Sequence, residues 1–168
     1  TNPGKVKSKD VPEHVREKDF ADDGSIKDCT PHVLKVIESL GLDAIIAIGG
    51  DDTLSYAERL HREHVRVIAI PKTMDNDVPG TDYCIGFSTA ITRAKDAINR
   101  QRTTLGSHER IGVFRVFGRD SGFTALYTAY VTSLRCAIPE FKVNLDKLIE
   151  LLMKEKRDNP SNYVMFVL

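Results

Sequence analysis

The sequence predicts an α/β fold, a three-layer sandwich in which a mostly parallel sheet carries helices on both faces. Two observations support this prediction. Short, continuous apolar runs such as Ala44–Ile48 have the length and composition of strands that are buried on both faces. These runs alternate, about five times, with segments whose apolar residues recur at helical spacing, as in parallel sheets with helical crossovers.

The elements are predicted in order along the chain. Residues 1–28 carry charges and turn formers without a period, and we interpret them as a loop or mobile segment with local structure. Thr30 is expected to cap a helix that has Pro31 at its first position. The later elements are a strand at 44–48, a helix at 54–64, a strand at 65–70, a helix capped by Ser88 or Thr89, a strand at 111–117, a helix at 123–131, a strand at 135–138, a helix at 146–156 and a strand at 163–168.

Residues 29–168 are therefore predicted to form one α/β domain. The last strand runs to Leu168 without the loop that would follow it, so we expect a fragment that is truncated at both ends. The 24 basic and 24 acidic residues cancel and form no long block, which argues against a nucleic-acid partner and a membrane-binding surface. The three cysteines are widely spaced and odd in number, which favours reduced thiols in a cytoplasmic protein over a zinc site or disulfides.

The first polar motif, Gly-Gly-Asp-Asp-Thr at 49–53, follows the strand at 44–48. Gly49 and Gly50 allow a phosphate to approach the backbone, and Asp51 can reach a cation. The same pattern also occurs in plain turns. Asp52 favours a functional interpretation, because a second acid beside a phosphate is costly without a cation.

The second motif, Pro-Lys-Thr-Met-Asp-Asn-Asp at 71–77, follows the next strand. Asp75 and Asp77 share one side if the segment is extended, with Met74 pointing inward. An Asx-rich turn is the alternative, but it leaves Lys72 unexplained. Phosphoryl transfer to a hydroxyl needs an acid for the metal, a base and a cation for the moving charge, roles that suit Asp51, Asp75 and Lys72.

A third polar segment, Phe117-Gly118-Arg119-Asp120-Ser121-Gly122, follows the strand at 111–117. Ligands of parallel sheets bind beyond the carboxyl ends of the strands, so the three motifs are predicted to meet at one edge. Arg119 is placed there to bind a phosphate. Arg110 lies at the other end of its strand and could reach such a phosphate only from another subunit.

The chain resembles the 6-phosphofructokinases from about Leu42 to its C-terminus. The resemblance rests on the motifs at 49–53, 71–77, 86–90 (Gly-Phe-Ser-Thr-Ala), 107–110 (Ser-His-Glu-Arg) and 117–119. It implies the phosphofructokinase-like fold and a glycolytic reaction, the phosphorylation of the 1-hydroxyl of fructose 6-phosphate to fructose 1,6-bisphosphate with Mg²⁺. The family's N-terminal donor loop and its later Glu, Arg and His are not in this chain.

The resemblance also implies roles for individual residues. Asp75 is the general base, Asp51 holds Mg²⁺, and Lys72 and Arg119 complete the catalytic set. The sugar phosphate is bound by Thr73, Asp75, Asp77, Phe117, Gly118 and Arg119, with Arg110 contributed by a neighbouring subunit, which implies a homo-oligomer with a shared active site. Phe117 replaces the family's usual Met.

The phosphoryl donor is predicted to be pyrophosphate rather than ATP. ATP-using members usually have Gly where Asp52 stands and often where Lys72 stands, whereas pyrophosphate users carry Asp and Lys. Asp52 would repel the α-phosphate of ATP, and Lys72 would neutralise pyrophosphate, which Gly49 and Gly50 help to bind. Three alternatives remain: an ATP-dependent 6-phosphofructokinase, a non-catalytic regulatory subunit, and a lipid or NAD kinase, which would not explain Asp75-Asn76-Asp77.

Overall fold

The computed structural model describes residues 2–16 and 20–168 of the chain. It divides into two compact units, Thr1–Lys72 and Thr73–Leu168. The domain bounds expected from the sequence, 1–28 and 29–168, stay a prediction. Among the described residues, no helix has the length and apolar character needed to cross a membrane.

The first unit holds two small sheets. Strand β1 (Val6–Lys7) pairs antiparallel with β2 (Ile26–Lys27), and two short 3-10 helices, Ser8–Asp10 and Glu13–Val15, lie between them. The remaining elements are helix α1 (Thr30–Ser39), strand β3 (Ile45–Gly49), helix α2 (Asp51–Arg62) and strand β4 (Val67–Pro71). Strands β3 and β4 pair in parallel, with Ile45 opposite Val67 and Gly49 opposite Pro71.

One face of the β3–β4 pair is covered by α2, which buries Tyr56, Ala57 and Leu60. The alternate residues Ile46 and Ile68 are each 62% exposed. The prediction that these strands are buried on both faces is therefore wrong for this chain. Their apolar composition indicates a two-sided strand, but among the described residues α2 packs on one side.

The second unit contains helix α3 (Phe87–Ser107), strand β5 (Ile111–Phe114), helix α4 (Phe123–Thr132), strand β6 (Arg135–Cys136), helix α5 (Leu145–Asp158) and strand β7 (Val164–Val167). The three strands form a parallel sheet in the order β5-β7-β6. Strand β7 is central and all four of its residues are buried. Its Met165 and Val167 pack against α3 and α4, while Val164 and Phe166 pack against Leu152 of α5. The predicted α/β fold, a parallel sheet with helices on both faces, is confirmed.

Three helices begin earlier or are capped differently than predicted. Cys29 is the N-cap of α1, and the N–H of Thr30 donates to the Asp28 carboxylate at 2.9 Å, so the Thr30 hydroxyl is not the cap. Helix α3 begins at Phe87 after Gly86, whose φ of 101° suits glycine, rather than after Ser88 or Thr89. Helix α2 begins at Asp51, three residues before the predicted start, and this change alters the chemistry of the first motif.

Candidate active site

The first motif and the first two residues of the second, Pro71 and Lys72, meet at one edge of the β3–β4 sheet. The N–H of Lys72 donates to the carbonyl of Gly49 at 2.8 Å, which extends the pairing of the strands by one residue. Gly49 permits a tight passage from β3 into α2, because a Cβ atom at this position would lie 2.4–2.7 Å from the side chain of Thr53. The glycine turn, its acids and Lys72 are thus neighbours within the first unit, as predicted.

Asp51 and Asp52 lie in the first turn of α2, after the N-cap Gly50, and both are exposed. Carboxylates at this position are stabilised by the helix dipole. The second acid therefore has a structural reason to be there, and its presence does not by itself require a cation, contrary to the sequence argument. The two carboxylates also occupy a helix end that would otherwise attract an anion, so a phosphate here would need a cation beside it.

The described residues offer few side chains that could bind a metal ion. In the part of the chain that the structure describes, no group of three or more His, Cys, Asp or Glu side chains is placed to hold a metal ion. Mg²⁺ in phosphoryl-transfer sites is commonly held by one or two carboxylates together with substrate phosphates and water. An exposed Asp51 fits this kind of open coordination.

In the second unit, the segment at 73–77 is bent rather than extended. Asn76 has a φ of 53°, in the left-handed region, so Asp75 and Asp77 do not share one side: Asp75 is 8% exposed and Asp77 is exposed. Met74 is 39% exposed and does not point inward as expected. Because of this bend, Asp75 is the only carboxylate of the motif that is buried.

Asp75 has the environment of a general base. Burial raises the pKa of its carboxyl group above the usual value, and the charge of Asp77 raises it further, while Arg119 and the Thr73 hydroxyl oppose the rise. Among the described residues, none forms a hydrogen bond to Asp75 Oδ1. A buried carboxylate with a free lone pair and a raised pKa can accept a proton from a bound hydroxyl.

The segment at 117–122 forms a tight turn that carries Arg119. The N–H of Ser121 donates to the Gly118 carbonyl at 2.8 Å, and Arg119 has a φ of 45°. A Cβ atom on Gly118 would lie 2.3 Å from the Ser121 carbonyl oxygen, so glycine is required for this closure. The positive charge of Arg119 opposes the rise in the pKa of Asp75, so these two predicted site residues interact electrostatically within this unit.

Three side chains that had no predicted role hold the motif at 73–77. Ser121 Oγ donates to the carbonyl of Asp75, and Thr124 Oγ1 donates to the carbonyl of Met74, each at 2.7 Å. Asn76 accepts the N–H of Cys84 at 2.7 Å and donates to the Asp82 carbonyl at 3.0 Å. Asn76 therefore bonds backbone several residues away rather than forming a simple Asx turn. Ser121 belongs to the third polar segment predicted from the sequence, and that position was the available signal for it.

A cavity of about 670 Å³ lies at the carboxyl ends of β5, β6 and β7. Arg119 and Ser121 contribute to its wall, and Asp75 does not. Most of the lining is apolar, and its side chains include Phe117, Ile138, Phe141, Val143 and Leu168. The polar side chains of the lining are Arg115, Arg119 and Ser121.

Arg110 lies away from this cluster, as predicted. It directly precedes β5, its N–H donates to the Leu105 carbonyl, and its carbonyl accepts the N–H of Val164. Arg119 follows the other end of the same strand. Of the predicted sugar-site residues, Arg110 is the one that the second unit does not bring near Asp75 and Arg119, and its action across a subunit interface stays a prediction.

Comparison with known proteins identifies the family. The phosphofructokinase family profile matches residues 13–168. The chain is 47% identical over 114 residues to the pyrophosphate–fructose 6-phosphate 1-phosphotransferase of Thermoproteus tenax, covering 67% of this chain and 34% of that protein. It is 38% identical over 145 residues to the ATP-dependent 6-phosphofructokinase of Chloroflexus aurantiacus, covering 84% and 41%.

The fold is shared with solved structures. Phosphofructokinase from Pichia pastoris, in the T-state, aligns with a TM-score of 0.76 at 24% identity over 82% of this chain and 16% of that one. The chain spans between a third and about two fifths of the length of the two curated relatives named above. With the profile covering nearly all of its residues, this chain belongs to the phosphofructokinase family.

Proposed function

We propose that this chain is part of a pyrophosphate-dependent 6-phosphofructokinase, which transfers a phosphoryl group from pyrophosphate to the 1-hydroxyl of fructose 6-phosphate. The observation that carries the proposal is Asp75, a buried carboxylate on which the charge of Arg119 acts and whose Oδ1 has no hydrogen-bond partner among the described residues. Because the chain covers only part of its relatives, the activity is proposed for the complete protein that contains it.

Asp75 Oδ1 accepts the proton of the sugar 1-hydroxyl as that oxygen attacks the terminal phosphorus of the donor. A new O–P bond forms, the bridging P–O bond of pyrophosphate breaks, and phosphate leaves. Arg119 binds the sugar phosphate side, and Lys72 neutralises charge on the moving phosphoryl group. Mg²⁺, when bound through Asp51, supplies further neutralisation of the donor phosphates.

The choice of donor rests on two residues at the end of the β3–β4 pair. Relatives that use either donor match this chain, so the family alone leaves the donor open. Asp52 is an exposed acid in the first turn of α2, where it would repel a nucleotide α-phosphate. Lys72 is exposed at the end of β4 and suits a small, densely charged donor.

The second candidate function is an ATP-dependent 6-phosphofructokinase, which the Chloroflexus aurantiacus relative favours. A non-catalytic regulatory subunit is a weaker alternative, because Asp75 is buried and its Oδ1 has no partner in the part of the chain that the structure describes, as a base needs. We also propose a cytoplasmic homo-oligomer in which Arg110 completes the sugar phosphate site of a neighbouring subunit.

The test is a direct assay of the complete protein. Fructose 1,6-bisphosphate formation is measured with fructose 6-phosphate, Mg²⁺ and either pyrophosphate or ATP. A higher kcat/KM with pyrophosphate supports the proposal, a higher value with ATP moves the assignment to the second candidate, and turnover with neither donor contradicts both.

A further inference from the structure

Two hydroxyl groups, one just before α4 and one in its first turn, are bonded to consecutive peptides of the catalytic motif. Ser121 Oγ and Thr124 Oγ1 donate to the carbonyls of Asp75 and Met74, and both distances are typical of good O–H···O bonds. Ser121 is 7% exposed and Thr124 is 2% exposed, so water does not compete freely for these bonds. They join parts of the chain that lie 46 and 50 residues apart.

We propose that Ser121 and Thr124 are positioning residues that hold Asp75 at a set distance and direction from Arg119. This inference rests on the proposed function. The two bonds fix the planes of two successive peptides and therefore the direction in which the Asp75 side chain leaves the backbone. Ser121 also closes the Gly118–Ser121 turn that carries Arg119, so one residue connects the base to the arginine.

The positions of both groups matter for the rate. Proton transfer needs heavy atoms within hydrogen-bond reach, and a displacement of about 1 Å can cost about 10²-fold in rate. Asp75 Oδ1 itself has no bond among the described residues that would hold it in place. Its direction therefore depends on the backbone that Ser121 and Thr124 hold, together with the Thr73 hydroxyl, which acts on the same carboxyl group.

Helix α4 offers a matched control. Thr128 lies one helical turn after Thr124 and is fully buried, yet its Oγ1 has no hydrogen-bond partner among the described residues. Thr124→Val and Thr128→Val are the same isosteric change at two buried sites of one helix. Only the first removes a bond to the motif, and Thr124→Ser keeps that bond while removing a methyl group.

The kinetic experiment compares these variants in the complete protein with the better donor. We expect Thr124→Val and Ser121→Ala each to lower kcat about 10-fold, with the KM for fructose 6-phosphate changed less than about 2-fold. Thr124→Ser should recover most of the lost rate, and Thr128→Val should match wild type. This pattern separates a loss of alignment from a general loss of packing.

The pH profile adds a readout that altered folding alone would not move. In the second unit, the charged groups that act on Asp75 are Asp77 and Arg119, and burial is the larger influence on its pKa. Loosening the motif admits water to Asp75 and lowers its pKa toward the usual value. The acid limb of kcat/KM should therefore move to lower pH in Thr124→Val and stay in place in Thr128→Val.

Hydrogen exchange tests the positioning without relying on activity. Amide exchange of a peptide spanning residues 73–84 should be faster in Thr124→Val and Ser121→Ala than in wild type, and unchanged in Thr128→Val. If Thr124→Val matches Thr128→Val in exchange, rate and pH profile, the positioning role is wrong, even where replacement of Asp75 by Asn lowers the rate as a lost base would. If wild type has no turnover with either donor, the proposed function fails, and the exchange data alone decide whether these hydroxyls hold the motif.

Discussion

Replacing Asp75 with Asn keeps the size of the side chain and one acceptor oxygen but removes the base. Loss of a general base lowers rates by about 10²–10⁴-fold, which corresponds to about 2.7–5.5 kcal/mol in the activation free energy. The substrate phosphates are bound by other groups, so the KM values should change much less than kcat. We therefore expect the Asp75→Asn enzyme to bind fructose 6-phosphate and to turn it over slowly.

The same substitution should make the protein more stable at neutral pH. Burial raises the folded-state pKa of Asp75 above its unfolded value, so the folded protein holds this proton more tightly than the unfolded chain does. The free energy of unfolding therefore falls as pH rises from the pKa of Asp75 in the unfolded chain to its pKa in the folded protein. The loss persists at neutral pH and amounts to about 1.4 kcal/mol for each unit by which the two pKa values differ. Asn carries no charge, so it avoids this cost.

The assay measures kcat and KM together with the Tm at pH 5, 7 and 8 for wild type, Asp75→Asn and a control, Asp82→Asn. Asp82 is an exposed acid in the following loop, and the motif uses its backbone carbonyl rather than its carboxylate. The control should keep both activity and stability. Near-normal turnover in Asp75→Asn would refute the role of Asp75 as the base. A Tm of Asp75→Asn below that of wild type at neutral pH would refute the argument from burial.

Three further predictions concern the donor, the interface and the turn at Gly49. Asp52→Gly should raise kcat/KM with ATP and lower kcat/KM with pyrophosphate. The control, Asp43→Gly, changes another exposed Asp and should alter neither value. Equal effects of the two substitutions would contradict a role for Asp52 in selecting the donor. Arg110→Ala should raise the KM for fructose 6-phosphate more than the KM for the donor. Co-assembly of Arg110→Ala subunits with Asp75→Asn subunits should restore activity, because some of the shared sites then hold both native residues. If activity is not restored, Arg110 acts within its own subunit. Gly49→Ala should lower the free energy of unfolding by about 1–3 kcal/mol, because its Cβ would collide with Thr53. The control is Gly106→Ala, whose Cβ meets only ordinary contacts at 3.5–3.7 Å and which should be neutral or stabilising by up to about 1 kcal/mol. Equal chemical-denaturation midpoints for the two variants would rule out the collision.

Strands and motifs were predictable from the sequence because their signals are local. The apolar run at 44–48 and the glycines after it place β3 and the start of the donor motif within a residue or two. Helix starts were less predictable, because several residues near each start can serve as the cap. Asp28 supplies the bond to Thr30, and Gly86 supplies the left-handed turn before Phe87, where Ser and Thr looked equally suitable.

The parts of the site that were missed depend on tertiary contacts. Nothing in the spacing of Ser121 or Thr124 shows that their hydroxyls meet carbonyls 46 and 50 residues earlier. The burial of Asp75 and the exposure of Asp77 likewise follow from the left-handed Asn76, whereas the residue types alone favoured an extended segment. The meeting of the motif at 49–53 with the motif at 73–77 in one active site stays a prediction.

The position of β7 has a consequence for how the second unit is made. Strands β5 and β6 come earlier in the chain, yet each pairs with β7 and the sheet order places β7 between them. During synthesis, the sheet of this unit cannot close until residues 164–167 have left the ribosome, and until then β5 and β6 present unpaired edges. Such edges promote association between chains. Chains halted just before Val164 should therefore aggregate, and chains extended past Val167 should become protected from proteolysis as β7 inserts.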